Sequence, residues 1–144
     1  MSYLRTILQA CTAIVLTTGF VCAQIGWRAH STDVKGDLVT IYFTSSTKGF
    51  VAGDNGYLAS TVDGGKSWLK YPLNTTENIN EIYFRNEKNG SLVAGKKLYL
   101  TSDGGESWRE TVIFKATDFK NTTPTLLSIR FADKKRGLAV GSVL

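Results

Sequence analysis

Apolar and polar positions alternate along this chain in short runs, and the runs recur. Leu38-Val39-Thr40-Ile41-Tyr42-Phe43 leads through five loop-like residues to the compact apolar segment Gly49-Phe50-Val51-Ala52-Gly53. Ile79-Asn80-Glu81-Ile82-Tyr83-Phe84 leads, after the same interval, to Gly90-Ser91-Leu92-Val93-Ala94-Gly95. A third run, Leu126-Leu127-Ser128-Ile129-Arg130-Phe131, leads to Gly137-Leu138-Ala139-Val140-Gly141. In each case the glycine stands six positions after the phenylalanine. Two-residue alternation carried by β-branched and aromatic side chains is a strand signal. Beyond the N-terminal segment no stretch carries a helical period.

The first two units continue into two more strands. The third is expected over residues 57–61 and 98–101, and the fourth from the tryptophan onward, over 68–71 and 108–114. Asp54-Asn55-Gly56 marks the turn before the third strand of the first unit, because Asn-Gly supplies positive φ angles. Its counterpart Lys96-Lys97 lacks that chemistry and predicts a different turn. Four-stranded units recurring at about 40 residues are the signature of a β-propeller. The fold class is therefore all-β: four-stranded antiparallel blades, about two and a half of them, preceded by an N-terminal signal helix. Residues 37–78 form blade one, 79–125 blade two and 126–144 a partial third. Residues 24–36, with Trp27, resemble a fourth strand and are expected to act as a ring-closing strand. Two and a half blades leave strand edges that further blades or self-association must cover.

The N-terminus reads differently. Arg5 precedes an apolar stretch over residues 7–20, followed by Val21-Cys22-Ala23-Gln24. A basic start, an apolar run and small residues before a cut make an export signal, cleaved after Ala23. Left uncleaved, it would anchor the chain and supply any membrane contact. A periplasmic, secreted or thylakoid-lumenal location follows. Both cysteines, Cys11 and Cys22, fall in this segment, so the mature domain relies on its core rather than on disulfides. Cleavage takes one arginine from the 17 basic residues and none of the 12 acidic ones, leaving a mild basic bias. That bias with export argues against nucleic acid as a partner.

One phrase occurs twice, 40 residues apart: Thr61-Val62-Asp63-Gly64-Gly65-Lys66-Ser67-Trp68 and Thr101-Ser102-Asp103-Gly104-Gly105-Glu106-Ser107-Trp108. An Asp side chain can accept hydrogen bonds from its own turn, paired glycines allow positive φ, and the tryptophan is expected to pack between blades. Asp63, Gly64, Gly65, Ser67 and Trp68, and Asp103, Gly104, Gly105, Ser107 and Trp108, are thus read as structural. Catalysis would need a second group at a fixed distance, and a calcium loop needs alternating oxygen ligands where glycine and Lys66 or Glu106 stand here.

The phrase resembles the Asp-box, or bacterial neuraminidase repeat. Together with the x-I-x-F and glycine-bounded segments over residues 27–141, it resembles the photosystem II stability and assembly factor family, of which this chain looks like a truncated or partial member. That resemblance implies an exported, non-catalytic propeller that binds another protein; in photosynthetic members the partner is a newly made reaction-centre subunit. Seven blades would need roughly 280 residues. No catalytic, cofactor or metal residues are expected: the single His30 has no triad partners, and histidine and cysteine are too few for zinc. The loops after each first strand carry Lys48, Arg85, Lys88, Lys134, Lys135 and Arg136, a basic arc suited to an acidic protein partner. The alternative is a fragment of an Asp-box glycoside hydrolase or sialidase. Its channel-side groups would be drawn from Tyr42, Glu81, Tyr83 and Arg130, which lack the arginine triad sialidases use.

Overall fold

The computed structural model describes residues 34–119, 122, 124–133 and 136–143. The signal segment, the ring-closing strand with Trp27 and His30, and Lys134 and Lys135 lie outside the described residues. Blade one consists of β1 (Leu38–Phe43), β2 (Gly49–Gly53), β3 (Leu58–Thr61) and β4 (Leu69–Tyr71). Blade two consists of β5 (Ile79–Phe84), β6 (Gly90–Ala94), β7 (Lys97–Thr101) and β8 (Arg109–Thr111). β9 (Pro124–Phe131) and β10 (Gly137–Val143) form a two-stranded third unit. Every pairing is antiparallel and between chain neighbours, the up-and-down order of a propeller blade. β1 packs against β5 and β5 against β9, so the first strands form the inner line of the array.

The constant phenylalanine-to-glycine interval has a direct cause. Phe43 pairs with Gly49, Phe84 with Gly90 and Phe131 with Gly137, each the last cross-strand pair before the loop. The aromatic ring lies flat over the glycine. A Cβ at Gly49 or Gly90 would stand 2.7 Å from the ring, and one at Gly137 would stand 3.0 Å from it. Only glycine leaves that space.

Alternation then sorts each strand onto two faces. Tyr42, Phe50, Ala52 and Leu58 of blade one meet Ile82, Phe84, Leu92 and Tyr99 of blade two. Phe50 stacks on Phe84 with centroids 5.0 Å apart. A second cluster joins blade two to the third unit through Val93, Leu98, Leu126 and Ile129. The opposite face of blade one stays open, with Ile41 60% and Val39 52% exposed.

The structure differs from the sequence expectation at several ends. The fourth strands start after the tryptophan and last three residues; β8 stops at Thr111, and residues 112–114 leave the sheet. Val112 and Ile113 are exposed there, so their apolar character does not extend the strand. Tyr57 caps a 3-10 turn over Asp54–Gly56 and precedes β3, while Lys97 belongs to β7. In the second unit the positive φ moves upstream to Gly95 (55°), which leaves a tight turn of Gly95 and Lys96. β9 begins at Pro124, ahead of the expected blade boundary, and carries a bulge near Leu127 at the place where β1 and β5 also shift register.

Candidate functional site

The two Asp-box turns are built alike, atom for atom. The Thr61 hydroxyl donates to Asp63 Oδ1 (2.7 Å) and accepts from the Gly65 amide (2.9 Å). Ser67 donates its amide to Oδ1 (3.0 Å) and its hydroxyl to Oδ2 (2.6 Å) of Asp63. Thr101, Asp103, Gly105 and Ser107 repeat every one of these bonds. Gly64, Gly65, Gly104 and Gly105 all take positive φ, between 75° and 87°. The serine hydroxyl, then the serine amide and the threonine hydroxyl, hold each Asp carboxyl well below the usual carboxylate range. These carboxylates are anions at neutral pH, with both oxygens engaged inside their own turn. A group so held is a poor proton donor or acceptor near neutral pH.

The tryptophans differ. Trp108 meets Phe84 of its own blade edge-on at 5.9 Å and Phe50 of the preceding blade edge-on at 6.3 Å. A Cβ on Gly105 would clash with the edge of the Phe50 ring, so the second glycine of the turn is also needed for blade packing. Trp68 has one ring neighbour among the described residues, Phe43 of its own blade at 6.3 Å.

Each turn sits on the loop between the first two strands of its blade. The Gly64 amide donates to the Thr47 carbonyl (2.9 Å) and the Gly104 amide to the Lys88 carbonyl (2.8 Å). The three five-residue loops share one closing bond: Thr44 to Lys48, Arg85 to Asn89 and Ala132 to Arg136, 2.9 Å in each case. Loops and turns therefore share one face. On it, the Lys48 ammonium comes close to Gly104 of the next blade. Lys88 and Arg85 are exposed, and Arg85 reaches toward the Asp133 carbonyl at 3.5 Å. Arg136 is bound to the Asp133 carboxylate at 2.7 Å, so its charge is partly neutralised.

The first-strand groups that a hydrolase would need serve as blade connectors. Glu81 spans from blade two to the third unit: its Oε1 meets Arg130 at 2.6 Å and accepts from the Ser128 hydroxyl, while Oε2 accepts from the Ile129 amide (2.9 Å). The Arg130 guanidinium lies 4.4 Å from the centre of the Tyr83 ring. Tyr42 donates its hydroxyl to the Phe84 carbonyl (2.8 Å), linking the first two blades. Among the described residues no group of three or more His, Cys, Asp or Glu side chains is placed to hold a metal ion. Sequence reading missed the connecting role of Glu81, which meets Ser128, its own counterpart in the third unit, and Arg130 two residues further on.

Four-stranded blades with threonine-aspartate-serine turns and an inter-blade tryptophan define the Asp-box β-propeller class. The family model for the photosynthesis system II assembly factor YCF48 matches residues 21–108, and the chain belongs to this family. Eight chains of solved structures match. One, YCF48 bound to D1 peptide, aligns with 81% of this chain at 20% identity and a TM-score of 0.67. The match spans 38% of that longer chain. No curated protein sequence matches.

Proposed function

We propose that this chain is an exported, non-catalytic scaffold that holds a segment of another protein on its loop face. The observation that carries the reading is the convergence on that face of both Asp-box turns, the equivalent loops and the basic side chains of Lys48, Arg85 and Lys88. Membership of an assembly-factor family supports it, as does the D1 peptide held by the structurally similar YCF48. The engagement of Glu81, Asp63 and Asp103 in structural bonds supports a non-catalytic role. Residues 1–23 serve as the export signal, giving a periplasmic, secreted or lumenal location.

The partner segment is acidic, and Lys134 and Lys135 would add to its attraction. The test is a triple charge reversal, Lys48→Glu, Arg85→Glu and Lys88→Glu, leaving Arg136 with its own carboxylate. Binding of a D1 peptide and of an unrelated acidic peptide is measured by calorimetry over a salt series. Three rim charges at a few tenths to one kcal/mol each predict about tenfold weaker binding at low salt and a flatter salt dependence. Unchanged affinity and salt dependence would remove the loop face as the binding surface.

A further inference from the structure

The two Asp-box turns share their hydrogen bonds but not their exposed side chains. The turn over residues 61–68 carries Val62 and Lys66 where the turn over residues 101–108 carries Ser102 and Glu106. The strand that follows opens on Leu69 in blade one and on Arg109 in blade two. All six side chains are exposed. Leu69, 77% exposed, and Val62, 74% exposed, are the most open large apolar side chains among the described residues. Leu69 pairs with Ser60 and Ser60 with Phe50, so the three point to one side of the sheet. Phe50 stacks on Phe84 of blade two, so that side faces a blade described in all four of its strands. Leu69 is open although its neighbouring blade is in place. Val62 stands two residues beyond Ser60, at the mouth of the same turn.

We propose that Val62 and Leu69 are an apolar anchor at the rim for the protein segment held on the loop face. The inference rests on the loop-face reading and names the segment's chemistry: carboxylates toward the centre of the propeller and one bulky apolar side chain toward its rim. Continuity supports it. The Gly64 amide of this turn donates to the Thr47 carbonyl, so the anchor adjoins the loop that ends in Lys48. That loop joins the two inner strands of blade one and the turn joins the two outer ones, so the basic side chains lie inward of the apolar pair. Charge supports it as well. Lys66 continues the basic character onto the turn of blade one, whereas Glu106 at the equivalent place would repel an acidic segment from blade two. Asp63 is no obstacle, because its carboxylate is held by Thr61 and Ser67. Strands about 4.8 Å apart put the first loop and Leu69 roughly 12 Å from each other, or about four residues of extended peptide.

The probes are twin peptides that end in three consecutive aspartates and carry, four positions ahead of them, leucine in one and alanine in the other. Each is labelled and titrated by fluorescence anisotropy into the full chain and into a Val62→Ser, Leu69→Thr variant. Ser102 shows that the turn takes serine, and the comparison of twins on the unaltered chain needs no variant at all. The unaltered chain should bind the leucine peptide about five- to tenfold more tightly than its twin. The variant should bind both at the affinity of the alanine twin, and amide shifts of Val62 and Leu69 should move with the leucine peptide alone. Equal binding of the twins by the unaltered chain, or an undiminished leucine preference in the variant, would overturn the anchor. If those twins still weaken on the triple charge reversal, or if neither binds while the D1 peptide does, the loop-face reading stands without the anchor. Binding of none of the three peptides would overturn both.

Discussion

Two tryptophans at equivalent positions in equivalent turns should contribute unequally to stability. Trp108 is held between Phe84 of its own blade and Phe50 of the preceding one, whereas Trp68 rests on Phe43 alone among the described residues. Burying a tryptophan removes roughly 150–250 Å² from water, or about 4–6 kcal/mol at 25 cal/mol per Å² as an upper value. Trp108→Ala adds an inter-blade cavity and is expected to cost about 3–5 kcal/mol. Trp68→Ala removes half of those contacts and should cost about 1.5–2.5 kcal/mol by the same scale. The assay is urea unfolding of each variant followed by far-ultraviolet circular dichroism, with thermal melts in parallel. At roughly 4 °C or more per kcal/mol, Trp108→Ala should lower Tm by at least about 12 °C. Trp108→Phe should keep most of the stability, because it leaves a ring in place and removes the unpartnered indole N–H. Equal losses for the two alanine variants would refute the argument that Trp108 acts by joining blades.

Asp63 and Asp103 have carboxyls held low in the folded state, so their stabilisation is complete above the unfolded value near 4. It is lost as pH falls from about 4 toward the folded value; Asp103→Asn should therefore lower Tm at pH 7 and show a smaller gap from wild type below pH 4. Gly90→Ala forces a methyl to within 2.7 Å of the Phe84 ring, and chemical denaturation should show a loss of about 1–3 kcal/mol. Glu81→Ala leaves the Ile129 amide and Ser128 without their acceptor and frees Arg130, a loss of about 1–3 kcal/mol. Hydrogen exchange should quicken in β9 and β10 before β6 and β7; uniform quickening would contradict a connector role.

The parts of the fold that follow from residue type were readable from the chain. Alternation in Ile79–Phe84 and the repeated threonine-aspartate-glycine-glycine phrase both depend on local chemistry, and both lead to the observed strands and turns. Where packing decides, local pattern was insufficient. Val112 and Ile113 look like strand residues, yet the pairing ends with Thr111 opposite Leu98, one residue short of the start of β7 at Lys97. Glu81 and Arg130 looked like channel chemistry because nothing in either residue shows that they meet across 49 positions of sequence. The candidate arc was legible as charge but not as geometry: Arg136 is bound to Asp133, and Lys48 leans across to the neighbouring blade's turn.

The ring-over-glycine pairs carry a consequence for how this surface can change. A one-residue slip of β2 against β1 would bring Lys48 or Phe50 beneath the Phe43 ring, where no side chain fits. Strand alignment is thus set inside the sheet, by one aromatic and one absent side chain, and not by the residues of the connecting loop. The three loops bear this out: residues 44–48, 85–89 and 132–136 share a length and a closing bond but almost no sequence. The exposed face can be rewritten, residue by residue, while the blade beneath keeps its frame.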